Sequence, residues 1–291
     1  MKRRQFLIGA GSVASLGVPG ILRAAPGGRR IVVAGGDLTE IVYALGAGDR
    51  IVGVDQTSNW PPEATELAQI GYVRRLSAEG VLSLGPDLLL AAHDAGPDVV
   101  FEQLAAAGVQ VARAPESTDV GDIPEKIAFV GEALGLPEKA AALSAEFTAS
   151  LRDVQSKVAT LESAPRVLFI LSIRNGAPLI GGTETTADRM ITLAGGQNAG
   201  AGVNGYKPMS REAIIASAPD IVLMMEQHAE RMGGVSTVMT RPEIALTPAG
   251  QSNRGVAMEG MLLLGFGPRT PAAIAQLARA LHDDRAIAAG L

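Results

Sequence analysis

Short apolar runs alternate with amphipathic stretches through the first half of the chain. The run at 30–34 is rich in β-branched residues and ends at two glycines, which is typical of a buried strand. The stretch at 39–45 has the apolar spacing of a helix and is also followed by glycine. Further strands are predicted at 50–55, 88–92 and 109–112, and further helices are predicted after Ser77 and at 96–107. Strands that alternate with helices in this way predict a parallel sheet covered on both faces.

The same order recurs in the second half. A strand at 166–171, a helix at 187–194 and a strand at 221–225 follow one another as in the first half. Four pairs of landmarks lie 133 or 134 positions apart: Ser77 and Ser210, Glu79 and Glu212, Asp87 and Asp220, and Gly71-Tyr72 and Gly205-Tyr206. This constant offset indicates a duplicated α/β lobe in which equivalent positions have similar roles.

The stretch between the two halves, residues 137–163, has apolar positions at helical spacing and no glycine or proline in its interior. It predicts one long helix that crosses from lobe to lobe. We therefore predict an α/β fold: two doubly wound α/β lobes with parallel sheets, at 29–136 and 164–291, joined by one long helix. A single rigid connector predicts modest motion on ligand binding instead of a wide closure.

The N-terminus has the pattern of an export signal. A basic start is followed by an apolar, Gly- and Ala-rich run to about residue 22 and by small residues before Pro26, so we predict a cleavable signal at 1–25. The string Arg3-Arg4-Gln5-Phe6-Leu7 fits the twin-arginine type. A membrane anchor is the alternative, but the run is short and contains glycine, serine and proline. These features predict a periplasmic protein.

Composition removes several classes of function. The net charge is -5 and no basic block is present, which argues against nucleic acid as a partner. The absence of cysteine excludes iron–sulfur clusters and cysteine zinc sites, and three dispersed histidines argue against a zinc or manganese cage. No dinucleotide fingerprint, phosphate-binding lysine motif or nucleophile elbow is present, so no catalytic residue is predicted.

In two parallel-sheet lobes, ligands bind in the crevice outside the carboxyl ends of the strands. Tyr72 lies in a loop that reaches this region, and a phenolate oxygen suits ferric iron and is a known axial ligand of haem. The spacing alone favours an ordinary half-buried loop aromatic. Arg74 or Arg75 can supply the positive charge that a phenolate needs, and alternation directs only one of them toward the site.

Other candidates have two interpretations each. His228 follows a second-lobe strand and is either a second ligand, a partner of the phenolate or an exposed loop histidine. His93 lies at a comparable strand end, whereas His282 in a C-terminal helix is assigned no role. Glu79 and Glu212 lie in the first turns of equivalent helices. One interpretation is that each carboxylate interacts favourably with the dipole at its helix N-terminus. The other is that the two present one carboxylate from each lobe to a symmetric partner, and both can hold together.

Four strings resemble one known family: Thr39-Glu40-Ile41-Val42-Tyr43-Ala44-Leu45-Gly46, Gly71-Tyr72-Val73-Arg74-Arg75-Leu76-Ser77-Ala78-Glu79-Gly80, Gly205-Tyr206-Lys207-Pro208 and Leu264-Gly265-Phe266-Gly267-Pro268-Arg269-Thr270. They are similar to the periplasmic haem-binding proteins of bacterial haem ABC importers. Those proteins belong to a wider helical-backbone class that includes siderophore and cobalamin binders. The resemblance covers nearly the whole chain after the signal, and the string at 71–80 is the most specific to the haem branch.

The resemblance implies a cargo and partners. It makes Tyr72 the axial ligand of haem, and it makes Glu79 and Glu212 the carboxylates that dock onto arginines of the permease. The expected partners are haem, the permease and its ATPase, and the expected state is a monomer. The alternatives are a ferric siderophore or cobalamin carrier of the same class, and an enzyme on the same scaffold.

The chain departs from the family at one position. Some members place an arginine near the ligating phenolate, in the loop after the second-lobe strand, and here that position is Gln227 with His228 beside it. The further pocket candidates are Arg74, Arg174, Tyr206 and Lys207, of which the three cations could pair with haem propionates.

Overall fold

The computed structural model describes residues 28–117, 119–174 and 176–291 of the chain. The export signal predicted at 1–25 lies outside the described residues. Within them, no helix combines the length and the apolar character needed to cross a membrane.

The first sheet contains five parallel strands in the order β3-β2-β1-β4-β5. Its strands are Ile31–Ala34 (β1), Ile51–Val54 (β2), Ala68–Gln69 (β3), Leu88–Ala91 (β4) and Gln110–Arg113 (β5). The helices around it are Gly36–Ala44 (α1), Ala78–Leu82 (α2), Asp98–Ala106 (α3) and Ile123–Leu134 (α4). The predicted parallel sheet is therefore present in the first lobe.

The second sheet has the order β11-β10-β6-β7-β9, with β8 beside β6. Its strands are Arg166–Arg174 (β6), Ala177–Gly181 (β7), Gln197–Asn198 (β8), Tyr206–Pro208 (β9), Ile221–Met225 (β10) and Gly255–Met258 (β11). The pairs of β6 with β7 and of β7 with β9 are antiparallel, so this sheet is mixed and not wholly parallel as predicted. Only two residues separate β6 from β7, and a turn that short joins antiparallel neighbours.

Helices surround the second sheet and complete the α/β class that the sequence predicts. They are Thr186–Leu193 (α6), Arg211–Ser217 (α7), Glu226–Arg231 (α8), Val235–Met239 (α9), Pro242–Ala245 (α10), Pro248–Ser252 (α11), Gly260–Leu264 (α12), Thr270–His282 (α13) and Asp284–Ala288 (α14). The stretch at 226–234, expected to be a loop after β10, thus begins with the helix α8.

The connecting helix α5 spans Pro137–Val158 and is shorter than the predicted 137–163. The chain leaves the helix through a tighter turn, because the N–H groups of Thr160 and Leu161 bond to carbonyls only three residues back. Helix α5 packs against α4 on one side and α13 on the other. It therefore joins the two sheets through helices that belong to each of them.

One apolar cluster extends through both lobes. It contains Ile31 and Val33 of β1, Val167 and Phe169 of β6, and Phe147 of the connecting helix. The alternate residues of the same strands face two separate clusters, one in each lobe. A core that continues from lobe to lobe resists their separation and supports the expectation of modest motion.

Candidate functional site

The loop between β3 and α2 carries Tyr72 and is fixed at both ends. Gly71 has a φ of 94°, a conformation that favours glycine, and its carbonyl accepts from the N–H of Gln56 at 2.9 Å. Val73 is buried, and its carbonyl accepts from the N–H of Gly96 at 3.0 Å. A short 3₁₀ turn, Val73–Arg75, follows. These contacts hold the half-buried Tyr72 at the carboxyl ends of the first-lobe strands.

A cavity of about 440 Å³ lies in front of Tyr72, within the size range of small-molecule sites. Both lobes form its wall. The second lobe contributes Thr186, Met261 and the segment 264–266. The first lobe contributes the ends of its strands and the following loops, among them Gly36, Asp37, Thr57, Tyr72, Arg74, Ala92, His93, Asp94, Glu116 and Lys126. The site therefore lies between the lobes, where the parallel-sheet rule places it.

The Tyr72 hydroxyl has a cation beside it. Arg74 Nη1 lies 3.3 Å from Tyr72 Oη, and Arg74 Nε donates to Asp94 Oδ2 at 2.8 Å. The guanidinium of Arg75 lies 5.9 Å from the centre of the Tyr72 ring, but only Arg74 lines the cavity. The pair Arg74 and Asp94 thus presents a fixed positive group to the phenol oxygen.

The charge on Arg74 is held firmly. Partial burial lowers the pKa of Arg74, but the hydrogen bond and the attraction to Asp94, together with Tyr72, outweigh that effect and raise it above its ordinary value. Arg74 is therefore a permanent cation that favours the ionised form of the neighbouring phenol.

A second cation lies at the floor of the cavity. Lys126 Nζ donates to Asp37 Oδ2 at 2.6 Å and to the carbonyl of Phe266 at 3.1 Å, and its side chain is 5% exposed. Phe266 has a φ of 47°, so this carbonyl belongs to a backbone conformation uncommon outside glycine. Sequence reasoning missed Lys126, because a single lysine within a helix gives no signal of a site.

Gln227, His228 and Lys207 of the second lobe do not line this cavity. Gln227 Nε2 donates to Glu259 Oε1 at 3.3 Å, and His228 Nδ1 contacts the carbonyl of Leu171. Lys207 is exposed on the edge strand β9. Arg174 ends β6, and its side chain lies outside the described residues.

Tyr206 lies one contact away from the cavity. Its hydroxyl is 3.2 Å from Thr186 Oγ1, and Thr186 lines the cavity. The Tyr206 ring packs edge-on against Phe169 at 6.4 Å between centroids. The two tyrosines of the internal repeat therefore have different surroundings.

Glu79 and Glu212 hold equivalent, exposed positions. Each lies in the first turn of a short helix whose N-cap serine accepts a backbone N–H: Ser77 from Gly80 at 3.4 Å and Ser210 from Ala213 at 3.2 Å. Each lobe thus presents one carboxylate outside the cavity.

Two other cavities lie away from the strand ends that bind ligands. One of about 720 Å³ is lined by Pro165, Asp220 and Arg254, which precede β6, β10 and β11 and therefore mark the amino ends of the second sheet. The other, of about 460 Å³, lies on the outer surface between α5 and α13. Among the described residues, no group of three histidine or carboxylate side chains is arranged to hold a metal ion.

The fold and the interlobe cavity define a two-lobed binding protein, and the sequence agrees. Residues 31–259 match the family of periplasmic binding proteins, and the chain belongs to that family.

Solved structures of haem binders are similar to this chain. The periplasmic haem-binding protein RhuT from Roseiflexus sp. RS-1 is 40% identical with a TM-score of 0.85, over 89% of this chain and all of that one (100%). The periplasmic haem-binding protein HutB of Vibrio cholerae is 33% identical with a TM-score of 0.79, over 87% of this chain and 99% of that one. A cobalamin-binding protein of Halobacterium salinarum is 28% identical over 262 residues, which are 87% of this chain and 69% of that protein.

Proposed function

We propose that this chain is the periplasmic substrate-binding component of an ABC importer and that its cargo is haem. The observation that carries the proposal is that Tyr72 lines an interlobe cavity and that Arg74 Nη1 lies 3.3 Å from its hydroxyl. Similarity to haem-binding proteins at 40% and 33% identity supports the same cargo.

The chemistry of the cavity suits ferric haem. A phenol with an ordinary pKa near 10 needs help to ionise at neutral pH, and the iron and a neighbouring cation both supply it. Arg74 takes the part that some family members give to an arginine after the second-lobe strand. Met261, Leu264 and Phe266 offer apolar contact to a flat macrocycle from the opposite lobe. Tyr72 is the axial ligand in this proposal.

The propionates of haem need cations at the rim or the floor. Lys126 lines the floor, and Arg74 lines the wall. Lys207 and Arg174 of the second lobe remain proposed partners on sequence grounds, and Tyr206 is a proposed neighbour of the macrocycle through Thr186. Gln227 and His228, which point elsewhere in this arrangement, reach haem only if α8 shifts.

Titration of the purified protein with hemin tests the cargo. We expect a saturable shift of the Soret band at one defined stoichiometry, and we expect cyanocobalamin and a ferric hydroxamate siderophore to leave it unchanged. Tight binding of cobalamin or the siderophore with no response to hemin would assign the chain to another branch of its class.

Delivery requires contact with a permease, for which we propose Glu79 and Glu212. One exposed carboxylate per lobe, at matching helix starts, suits arginines on a two-fold symmetric partner. The double variant Glu79→Lys, Glu212→Lys should abolish haem uptake in cells because like charges then face each other. Its hemin titration should match the parent. Normal uptake by this variant would remove both residues from docking.

Export by the twin-arginine route places the protein where such an importer takes its cargo. Replacing Arg3 and Arg4 by lysine should keep the protein out of the periplasmic fraction of the cell, whereas unchanged export would assign the segment at 1–25 to another route.

A further inference from the structure

Two of the strings that resemble the family, one from each lobe, meet at the lobe boundary, and Leu264, Gly265 and Phe266 of the second string also line the cavity. Glu40 of the string at 39–46 and Arg269 of the string at 264–270 form a two-point ion pair: Arg269 Nε to Glu40 Oε2 at 3.0 Å and Nη2 to Oε1 at 2.5 Å. The side chain of Glu40 is 4% exposed and that of Arg269 is 24% exposed. Glu40 belongs to the first lobe and Arg269 to the second, so this shielded pair bridges them.

A second carboxylate extends the bridge. Glu259 accepts from the N–H of Met261 and of Leu262, each at 2.7 Å, which fixes it at the start of α12. Across the lobe boundary, Asn59 Nδ2 donates to Glu259 Oε1 at 2.8 Å. Arg269 Nη2 lies 3.6 Å from Glu259 Oε2, so one guanidinium is shared between a carboxylate of each lobe.

The surrounding backbone is shaped to this contact. The guanidinium of Arg269 lies 4.4 Å from the ring centre of Trp60, the single tryptophan of the chain. A Cβ atom at Gly267 would lie 3.0 Å from Glu40 Oε2, so a larger residue there would push against this carboxylate. Gly267 and Arg269 of the string at 264–270 therefore lie at the lobe boundary.

Gln227 also belongs to this group. It donates to Glu259 Oε1 at 3.3 Å, from the position where some family members have an arginine. The substitution removes a cation from the neighbourhood of the cavity and adds a neutral donor to the bridge. The residue at the position of this departure therefore contacts the bridge.

We infer that Glu40, Arg269, Glu259 and Asn59 form an interlobe latch that sets the spacing of the lobes and, through it, the rate at which cargo leaves the cleft. They are positioning residues, because their contacts are with one another and not with the cavity in front of Tyr72. The distance between the lobes does not depend on the cargo, whereas the effect on cargo release rests on the proposed function.

The physical basis is preorganisation. A cleft whose walls are already at the right separation binds without first paying to order them. Burial raises the pKa of Glu40, against the effect of Arg269, so the carboxylate depends on its partner to stay charged. Removing Arg269 leaves a buried carboxylate with no cation and weakens the tie between the lobes.

Distance measurements test the spacing without haem. The chain has no cysteine, so Ala105→Cys on α3 and Ala216→Cys on α7, both exposed, accept one spin label in each lobe. Arg269→Met should broaden and lengthen the distribution of label distances. Arg279→Met, an exposed arginine on the same helix α13, should leave it unchanged. An unchanged distribution in Arg269→Met overturns the latch.

Two milder variants allow the same test if Arg269→Met does not fold. Glu40→Gln keeps the hydrogen-bonding shape without the charge, and Arg269→Lys keeps the charge without the two-point geometry. Each should broaden the distribution less than Arg269→Met while retaining the thermal unfolding transition. If both folded variants matched the parent distribution, the latch would be rejected even where Arg269→Met does not fold.

Haem dissociation tests the consequence for cargo. Transfer of haem to a scavenger protein should be faster from Arg269→Met by about fivefold to 150-fold, the usual scale of coupling between sites. The phenolate-to-iron absorption band should keep its position, because Tyr72 is untouched. Equal dissociation rates would overturn the link to release. A parent that binds no haem would refute the proposed cargo, while the label distances would still decide the latch.

Discussion

In the first lobe, Asp87 Oδ2 accepts from the backbone N–H of Arg30 at 2.8 Å, and in the second lobe Asp220 Oδ2 accepts from Arg166 at the same distance of 2.8 Å. The side chains of both arginines then return to backbone carbonyls of their own lobe. With the paired N-cap serines, these contacts repeat the frame of one lobe in the other. The repeat in the sequence is therefore a repeat of the groups that fix the backbone.

The tyrosines of the repeat do not share this equivalence. Tyr72 is followed by Arg74, which reaches its hydroxyl and is held by Asp94. Tyr206 is followed at the same spacing by Pro208, which offers no charge, and it lies on an antiparallel edge strand that the first lobe lacks. The backbone frame is repeated, whereas the arginine beside the hydroxyl is found at Tyr72 and has no counterpart at the matching position after Tyr206.

Removing each tyrosine in turn tests this difference most strongly. Tyr72→Ala should lower haem affinity by more than the roughly 10- to 100-fold that partners of a metal ligand usually cost, because it deletes the ligand itself. Tyr206→Ala should have a much smaller effect. Hemin titration measures both, and equal losses in the two variants would contradict the asymmetry between the lobes.

The neighbouring cations give the next largest contrast. Arg74→Met should weaken haem binding by about 10- to 100-fold, because the phenolate loses its permanent partner. Lys207→Met, which removes the cation next to Tyr206, should leave haem affinity unchanged. If Lys207→Met lost as much haem affinity as Arg74→Met, positive charge near the cavity would matter for binding, and contact between the cation and Tyr72 would not.

The two aspartates of the frame should behave alike. Asp87→Ala and Asp220→Ala each remove one hydrogen bond to the start of a central strand and should each lower the free energy of unfolding by about 1 kcal/mol. The half-buried Asp220 should cost more than the exposed Asp87. Urea denaturation provides the values. Asp87→Asn and Asp220→Asn keep an acceptor oxygen and should recover most of the lost free energy of unfolding. A destabilisation confined to one lobe would argue against equivalent backbone contacts in the two lobes.

The smallest effect concerns pH and the second lobe alone. Burial lowers the pKa of His282, with the hydrogen bond to the Ala194 carbonyl opposing it. The unfolded chain therefore takes up this proton first as pH falls below the ordinary value of about 6.5, and stability decreases from there down to the folded pKa. Above about 6.5 the contribution of His282 is constant.

His282→Gln should consequently reduce the loss of stability between about pH 7 and about pH 5.5, measured by urea denaturation. Arg279→Gln, at an exposed position of the same helix, should leave that loss as it is. A reversed order of the two variants would contradict this source of pH dependence.

The central strands were predictable from the sequence because buried β-branched runs leave a clear pattern, and β4 and β10 begin where that pattern begins. The antiparallel strands β7 and β9 were not predictable, because a run of three to five residues beside a tight turn has no clear strand pattern. The helices α9 to α12 contain four or five residues each, too few for helical spacing to be recognised.

The candidate site also has parts that the sequence reveals and parts that it does not. Tyr72 is one of only three tyrosines, and the resemblance of the string at 71–80 to the haem-binding family, not its spacing, singled it out; its role as a ligand stays a prediction. The tie between Glu40 and Arg269 was not predictable, because 229 positions separate them and Glu40 reads as an ordinary polar residue of an amphipathic helix. Local patterns reveal what one segment does alone, and contacts between distant segments need the fold.

Iron itself gives the most direct measurement. Crystals grown with ferric haem, with anomalous diffraction recorded at the iron absorption edge, locate the metal without any assumption about the ligand. We predict one iron peak between the lobes, within bonding distance of Tyr72 Oη and with Arg74 beside that oxygen. An iron peak bound to another side chain, with Tyr72 out of reach, would contradict the account.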